Sequence, residues 1–256
     1  MNAQVKFLGQ IIAVSILIMF GIRVQFLENQ EFFFQFNHST AYWLDVGITF
    51  FWLVGVTNAF NMVDSMDGLA LGLARISSAF FVIITILSGQ SSLVYLSAIL
   101  FGVGCGIYLF NLQPARTFLG DSGAQLLGFL LASIAMAYHP KSISQQSSWF
   151  VPILFLIVPI FDTTLVTFSR VMKGKPFYKA NRDHTFHRLK AFGWDSSHAV
   201  AVMHLVSILS CLSAVIALFS APLQSNIIFI IWLTFFLLLI YYFERRFIQD
   251  MNDRQT

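Results

Sequence analysis

Residues 44–87 read LDVGITFFWLVGVTNAF (44–60), NMVDSMDG (61–68) and LALGLARISSAFFVIITIL (69–87), two long apolar runs with a short polar loop between them. A helix needs about 20 apolar residues to cross the hydrocarbon core of a bilayer, and its backbone must bond to itself while it does so. The pair therefore reads as two membrane spans joined by a loop rich in carboxylates and amides. The pattern continues in both directions. Further apolar runs lie at about 5–27, 92–110, 124–138, 149–168, 199–218 and 226–243, which makes eight spans in all. The expected fold class is all-α: a polytopic transmembrane helical bundle, with residues 1–256 forming a single integral membrane domain. Residues 32–43 are rich in aromatics and fit either an interfacial belt or a short pair of strands.

Composition agrees. Of the 256 residues, 57% are hydrophobic and 11% charged, where a soluble domain has about 25% charged. Mean hydropathy is +0.74, and there are 29 phenylalanines. So little polar surface excludes both a disordered chain and an ordinary soluble globule. The net charge of +3 does not point to nucleic acid, because the bases sit at the ends of the apolar runs. Cys105 and Cys211 lie inside such runs and read as small core hydrophobes. The first run carries one early base, Lys6, and no small-residue cleavage site follows it, so it reads as a retained span. With Lys6 inside, segments 1–5, 61–68, 111–123, 169–198 and 244–256 share the inner face. Thirteen of the fifteen Lys and Arg residues then lie on or near that face, leaving Arg23 and Lys141 outside. This bias predicts a multi-pass protein of the inner (cytoplasmic) membrane with these loops facing the cytoplasm.

The same parity gathers the unusual polar residues. The first inner loop carries Asn58, Asn61, Asp64, Asp67 and Gly68; the second carries Arg116, Phe118, Gly120, Asp121 and Ser122; the third carries Asp183, His184, His187 and Arg188 after a basic run. Acids at a bilayer edge are costly and point to function. Their oxygens suit magnesium, which takes one or two carboxylates and shares the rest of its shell with water and phosphate. Asn58, Asn61, Asp64 and Asp67 recur every three residues, and each such step turns a helix by about 60°. All four cannot face one ion from a regular helix, so either the helix breaks before Gly68 or their roles divide. The expected division puts Asn61 and Asp121 on the metal and Asp67 toward another part of the substrate. Each Asp also fits a helix cap, and the run 170–182 also fits a lipid-binding positive-inside loop. Asp162, deeper in its span, fits either a hydrogen bond to a His or Arg or a polar helix-packing contact.

These stretches, NAFNMVDSMDGLA (58–70), PARTFLGDSG (114–123), Pro159 to Asp162 and DHTFHRL (183–189), resemble the polyprenyl-phosphate N-acetylhexosamine-1-phosphate transferases, glycosyl transferase family 4. The resemblance runs from residue 6 to about 200. It implies transfer of a sugar-1-phosphate, N-acetylglucosamine-1-phosphate first, from a UDP-sugar to undecaprenyl or another polyprenyl phosphate, with release of UMP. Such reactions start lipid intermediates of cell walls and surface polysaccharides. It implies magnesium, or manganese in its place, on Asn61 and Asp121; uracil stacked on Phe118 near Asp67 and Gly68; and His184, His187 and Arg188 at the phosphates or the sugar. Asp64 joins the catalytic group, with Asn58, Arg116 and Asp183 on the substrate. The expected partners are the nucleotide sugar, the lipid phosphate and the bilayer, with no nucleic acid; a homodimer is the assembly to test for. The resemblance also implies an adjacent acidic pair just before the span that opens here at Lys6. No such pair occurs in the chain, so an N-terminally truncated or inactive copy is the second reading. A transporter would place its charges at mid-membrane, and a CDP-alcohol phosphotransferase would need Asp-Gly-x-x-Ala-Arg where Gly68 is followed by a different spacing.

Overall fold

The structure, a computed structural model, describes residues 3–28, 36–140, 148–172, 174, 184–191 and 193–253. Ten helices are described: α1 (Ala3–Met19), α2 (His38–Val63), α3 (Leu69–Leu87), α4 (Ser91–Asn111), α5 (Gly120–Ala137), α6 (Val151–Phe155), α7 (Ile157–Met172), α8 (Thr185–Ala191), α9 (Ser196–Leu218) and α10 (Pro222–Asp253). There is no strand among the described residues, and the all-α polytopic class holds. Among the described residues six helices are long and apolar enough to cross a membrane: α2, α3, α4, α5, α9 and Pro222–Arg246 of α10. Residues 38–43, read as a belt or a strand, begin α2, where the Asn37 side chain accepts from Ser39 N–H at 3.3 Å.

Two of the eight expected spans differ in form from a single long helix. The first run stops early. Gly21 takes φ +78°, its N–H bonds Ile18 C=O at 2.9 Å, and Ile22 N–H reaches back to Leu17 C=O at 2.9 Å. That left-handed closing turn ends α1 after 17 residues. The chain then folds back along α2, where the buried Asp45 carboxylate accepts from Leu27 and Glu28 N–H, each at 3.1 Å.

The run at 149–168 is broken in two at Leu156. Pro159 has no N–H, so Phe155 C=O loses its partner four residues on. Ser77 Oγ of α3 donates to that carbonyl at 2.7 Å, with Cys211 Sγ of α9 beside it at 3.9 Å. An irregular stretch at membrane depth thus has its backbone satisfied by its neighbours. Ser77→Ala should leave that buried carbonyl with only the weak Cys211 thiol as donor and cost about 1–3 kcal/mol, read as a lower melting temperature in detergent. Ser78→Ala should be nearly silent, because that hydroxyl bonds Arg75 C=O within its own helix at 3.1 Å.

Packing places α2 against α5 and α7, and α3 against α4 and α9, with α10 on α9. Phe60, Phe81, Phe150 and Phe155 are fully buried between them. The two loops of interest, 64–68 and 112–119, come to one end of this bundle.

Candidate active site

The first loop forms because α2 cannot continue. Asp64 leaves helical geometry at ψ 42° while its N–H still bonds Phe60 C=O. Gly68 then takes φ +76°, a conformation costly for any residue with a Cβ, and opens α3. The helix does break before Gly68: Asn58 and Asn61 project from α2, Asp64 caps it, and Asp67 belongs to the turn.

Asn111, buried at the end of α4, ties this turn to the second loop. Its Oδ1 accepts from Gly68 N–H at 2.9 Å, and its Nδ2 donates to Thr117 C=O at 2.7 Å. Asp67 Oδ2 accepts from Ala115 N–H at 3.1 Å. Phe118 stands between these anchored residues and Gly120 with 71% of its surface exposed, a flat apolar face held from behind. Arg116 beside it is also exposed.

Close contact between α2 and α5 brings the amide and the carboxylates together. A Cβ on Gly128 would lie 2.9 Å from Phe60 Cβ and 3.0 Å from Thr57 Cα, so the helices nearly touch there. Asp121 precedes Gly128 by seven residues, close to two full turns, and Asn61 follows Thr57 by four, about one turn. Both side chains therefore leave the α2–α5 contact on the same side. On α1, Lys6 forms an ion pair with Asp121, and one turn on Gln10 donates to Gln125 Oε1 at 3.0 Å. Both steps run forward by four residues, so α1 and α5 are parallel, as the inside–outside parity requires. Gln10 also exchanges two hydrogen bonds with Asn58, at 2.9 and 3.3 Å, which makes Asn58 a joint between α1 and α2.

The electrostatics are those of crowded anions. Burial, and then the neighbouring Asp121 carboxylate, push Asp64 up from 3.8 to about 6. A carboxyl raised in the fold favours the protonated state, so its contribution to stability is lost as pH rises between about 4 and 6. Without divalent ions, Asp64→Asn should therefore gain thermal stability relative to the parent as pH goes from 4 to 7, with the gain level above about 6.

The third segment is held from its flanks. Asp162 of α7, 1% exposed, accepts from Thr185 N–H at 2.7 Å and pairs with His184 Nδ1 at 2.8 Å. Of the two readings of Asp162, the hydrogen bond to a histidine is the one observed. Arg188 pairs with Glu244 of α10 at 2.7 Å, both groups being 8% exposed. His187 is partly exposed, its ring 4.0 Å from that of Phe186. Ser197, at the start of α9, donates to Gln113 of the second loop at 3.0 Å. Asp183 and most of the basic run lie outside the described residues.

The donors fit a hard divalent ion. Asn61 Oδ1 is buried and accepts no hydrogen bond, although an amide oxygen in that setting normally would. It lies on the last turn of α2, which Asp64 caps, and Asp64 and Asp121 repel each other; oxygen ligands of this kind are what magnesium takes. Among the described residues no three His, Cys, Asp or Glu side chains gather to hold an ion by themselves, so water and phosphate oxygens complete the set that fits. Lys6, Gln10, Asn111, Gly128 and Glu244 were not singled out from sequence as site residues. Gln10, an amide well inside an apolar run, is the one whose sequence carried a visible signal.

Fold and site together define a multi-pass helical membrane protein with an oxygen-rich polar cup at one end of its bundle. The chain belongs to glycosyl transferase family 4, whose profile matches residues 1–139, more than half of it. It is 31% identical over 240 residues to a probable undecaprenyl-phosphate N-acetylglucosaminyl 1-phosphate transferase of Bacillus subtilis (strain 168), covering 94% of this chain and 63% of that protein. Phospho-N-acetylmuramoyl-pentapeptide-transferases are also similar. That of Staphylococcus saprophyticus is 30% identical over 221 residues, 82% of this chain and 64% of its own length. That of Limosilactobacillus fermentum is 28% identical over 205 residues, 80% of this chain and 60% of its own. The chain thus spans less than two thirds of the length of these relatives.

Proposed function

We propose that this chain carries the catalytic cup of an enzyme that transfers N-acetylglucosamine-1-phosphate from its UDP donor to a polyprenyl phosphate at the cytoplasmic face of the membrane. The observation that carries this reading is the unpartnered Asn61 Oδ1 at the end of the helix that Asp64 caps, with Asp64 in turn facing the charge of Asp121, within stretches that resemble the family's motifs. Family membership and the similarity to a probable undecaprenyl-phosphate N-acetylglucosaminyl 1-phosphate transferase support the substrate class.

In this reading a polyprenyl phosphate oxygen forms a bond to the β-phosphorus of the UDP-sugar. The bond from that phosphorus to the bridging oxygen breaks, and UMP leaves with the electron pair. A phosphate monoester has a second pKa near 6, so the attacking group is ionised at pH 7 without a protein base. The barrier is then the repulsion between anions. Asn61, Asp64 and Asp121 would hold magnesium, or manganese, which neutralises the diphosphate and steadies the leaving oxygen. Phe118 offers its face to the uracil, with Asp67 and Gly68 fixing the loop beneath it. Arg116 and His187 supply positive charge or hydrogen bonds toward the phosphates.

The test uses membrane vesicles containing the full chain, given UDP-N-acetylglucosamine, undecaprenyl phosphate and magnesium. UMP should be released only when lipid phosphate is present and the nucleotide sugar reaches the cytoplasmic face, and EDTA should stop it. Release of UMP without lipid phosphate, or none from either face, would refute the reading.

A further inference from the structure

The two carboxylates that hold the third segment come from spans, α7 and α10, and not from the polar loops of the cup. The result on α8 is unequal. His184, Thr185, Phe186 and Arg188 are all buried, Lys190 is exposed, and His187 keeps partial exposure. Arg188, whose fork beside two histidines suggests a phosphate ligand, is engaged with Glu244 and lies 5.8 Å from the Phe243 ring centre.

We propose that Asp162 and Glu244 are positioning residues that clamp α8 from both sides, and that Arg188 serves as the far anchor of that clamp, so that His187 is the side chain presented to the substrate. Glu244 lies beyond the residues matched by the family profile, on a span whose composition is otherwise generic. The physics of a buried ion pair makes the role specific. Removing the carboxylate takes a close counter-charge from a guanidinium in a low-dielectric site, and the segment shifts to hydrate it. Replacing both partners with apolar side chains of similar size removes the charge and keeps the packing. A clamp survives that double replacement; a phosphate ligand does not.

The delivery of His187 to a substrate rests on the function proposed above, so the experiment has two independent readouts. The first is labelling. Thr185→Cys, with Cys105 and Cys211 replaced by alanine, places a thiol at a site 7% exposed whose native hydroxyl makes no hydrogen bond. Its reaction with a maleimide should be slow in the parent and about 10-fold faster in Glu244→Leu. It should return to the parent rate in the double variant Arg188→Met/Glu244→Leu. The second is kinetics in the native-cysteine chain. Glu244→Leu should lower kcat by about 10-fold with the KM for the UDP-sugar changed by less than about twofold. The double variant should recover most of the lost kcat.

Equal labelling in all three backgrounds would overturn the clamp. A double variant that is protected from labelling yet as slow as Glu244→Leu would also overturn it, by showing that Arg188 touches substrate. If the parent releases no UMP, the functional reading fails while the labelling result still decides the clamp.

Discussion

Asp121→Asn is expected to cut UMP release by about 100-fold or more while leaving the amount of folded protein in the membrane unchanged. The side chain is 57% exposed, so little packing is lost with its charge. What is lost is one of two carboxylates in a donor set whose third member, Asn61, is neutral. Neutral Asn keeps the shape and one oxygen but not the attraction for a doubly charged ion or the counter-charge for Lys6. The same change removes the anion that helps raise Asp64, so the Asp64 carboxyl should ionise at lower pH in Asp121→Asn. Initial rates against magnesium concentration, with size-exclusion profiles of the detergent-extracted protein, check both halves. A variant that retains a third of the parent rate at matched magnesium would remove Asp121 from the chemistry.

Gly128→Leu should be the most damaging single change in the bundle. The atoms that a Cβ at this position would meet are a Cβ, a Cα and the Val56 carbonyl oxygen at 3.1 Å, none of which a rotamer change can withdraw. Overpacking of this kind costs about 1–3 kcal/mol even for small additions, and leucine adds four carbons where the first already clashes. The relief available is to push α5 away from α2, and that motion separates Asp121 from Asn61. Both the yield of monodisperse protein and its UMP release should fall steeply, with Gly128→Ala intermediate. The control is Gly55→Ala on α2, where an added Cβ meets nothing within 4 Å and neither quantity should change. Full activity in Gly128→Leu would mean that the close approach of the two helices is not what assembles the cup.

Much of this architecture is legible in the sequence because a bilayer imposes coarse rules. Apolar length marks the spans, and the placement of fifteen bases separates the faces. The alternation of faces gathers Asn61, Asp67 and Asp121 on one side before any contact is known. Hydropathy does not see the closing turn at Gly21, because Ile22 and Val24 continue the apolar run past the end of the helix. Nor does it see the break at Leu156, although Pro159 is a visible warning; that the gap is filled by Ser77 is a fact of packing between distant segments. Arg188 illustrates the limit for the site. Beside two histidines it resembles a phosphate fork, and only the approach of α10 reveals that Glu244 pairs with it. Gly128 carries no local signal at all, since one glycine in an apolar span looks like any other until its neighbour is in place.

The seven-residue interval between Asp121 and Gly128 has a consequence for how such chains can vary. With the glycine pinned in the crossing, one extra residue between the two would rotate the carboxylate by about 100° and turn it out of phase with Asn61. An insertion of a whole heptad would restore the bearing but lift the carboxylate about 10 Å further along the axis. Length changes are therefore confined to the far side of Gly128, toward Ala137, where the helix can grow or shrink without altering the aim of the acid.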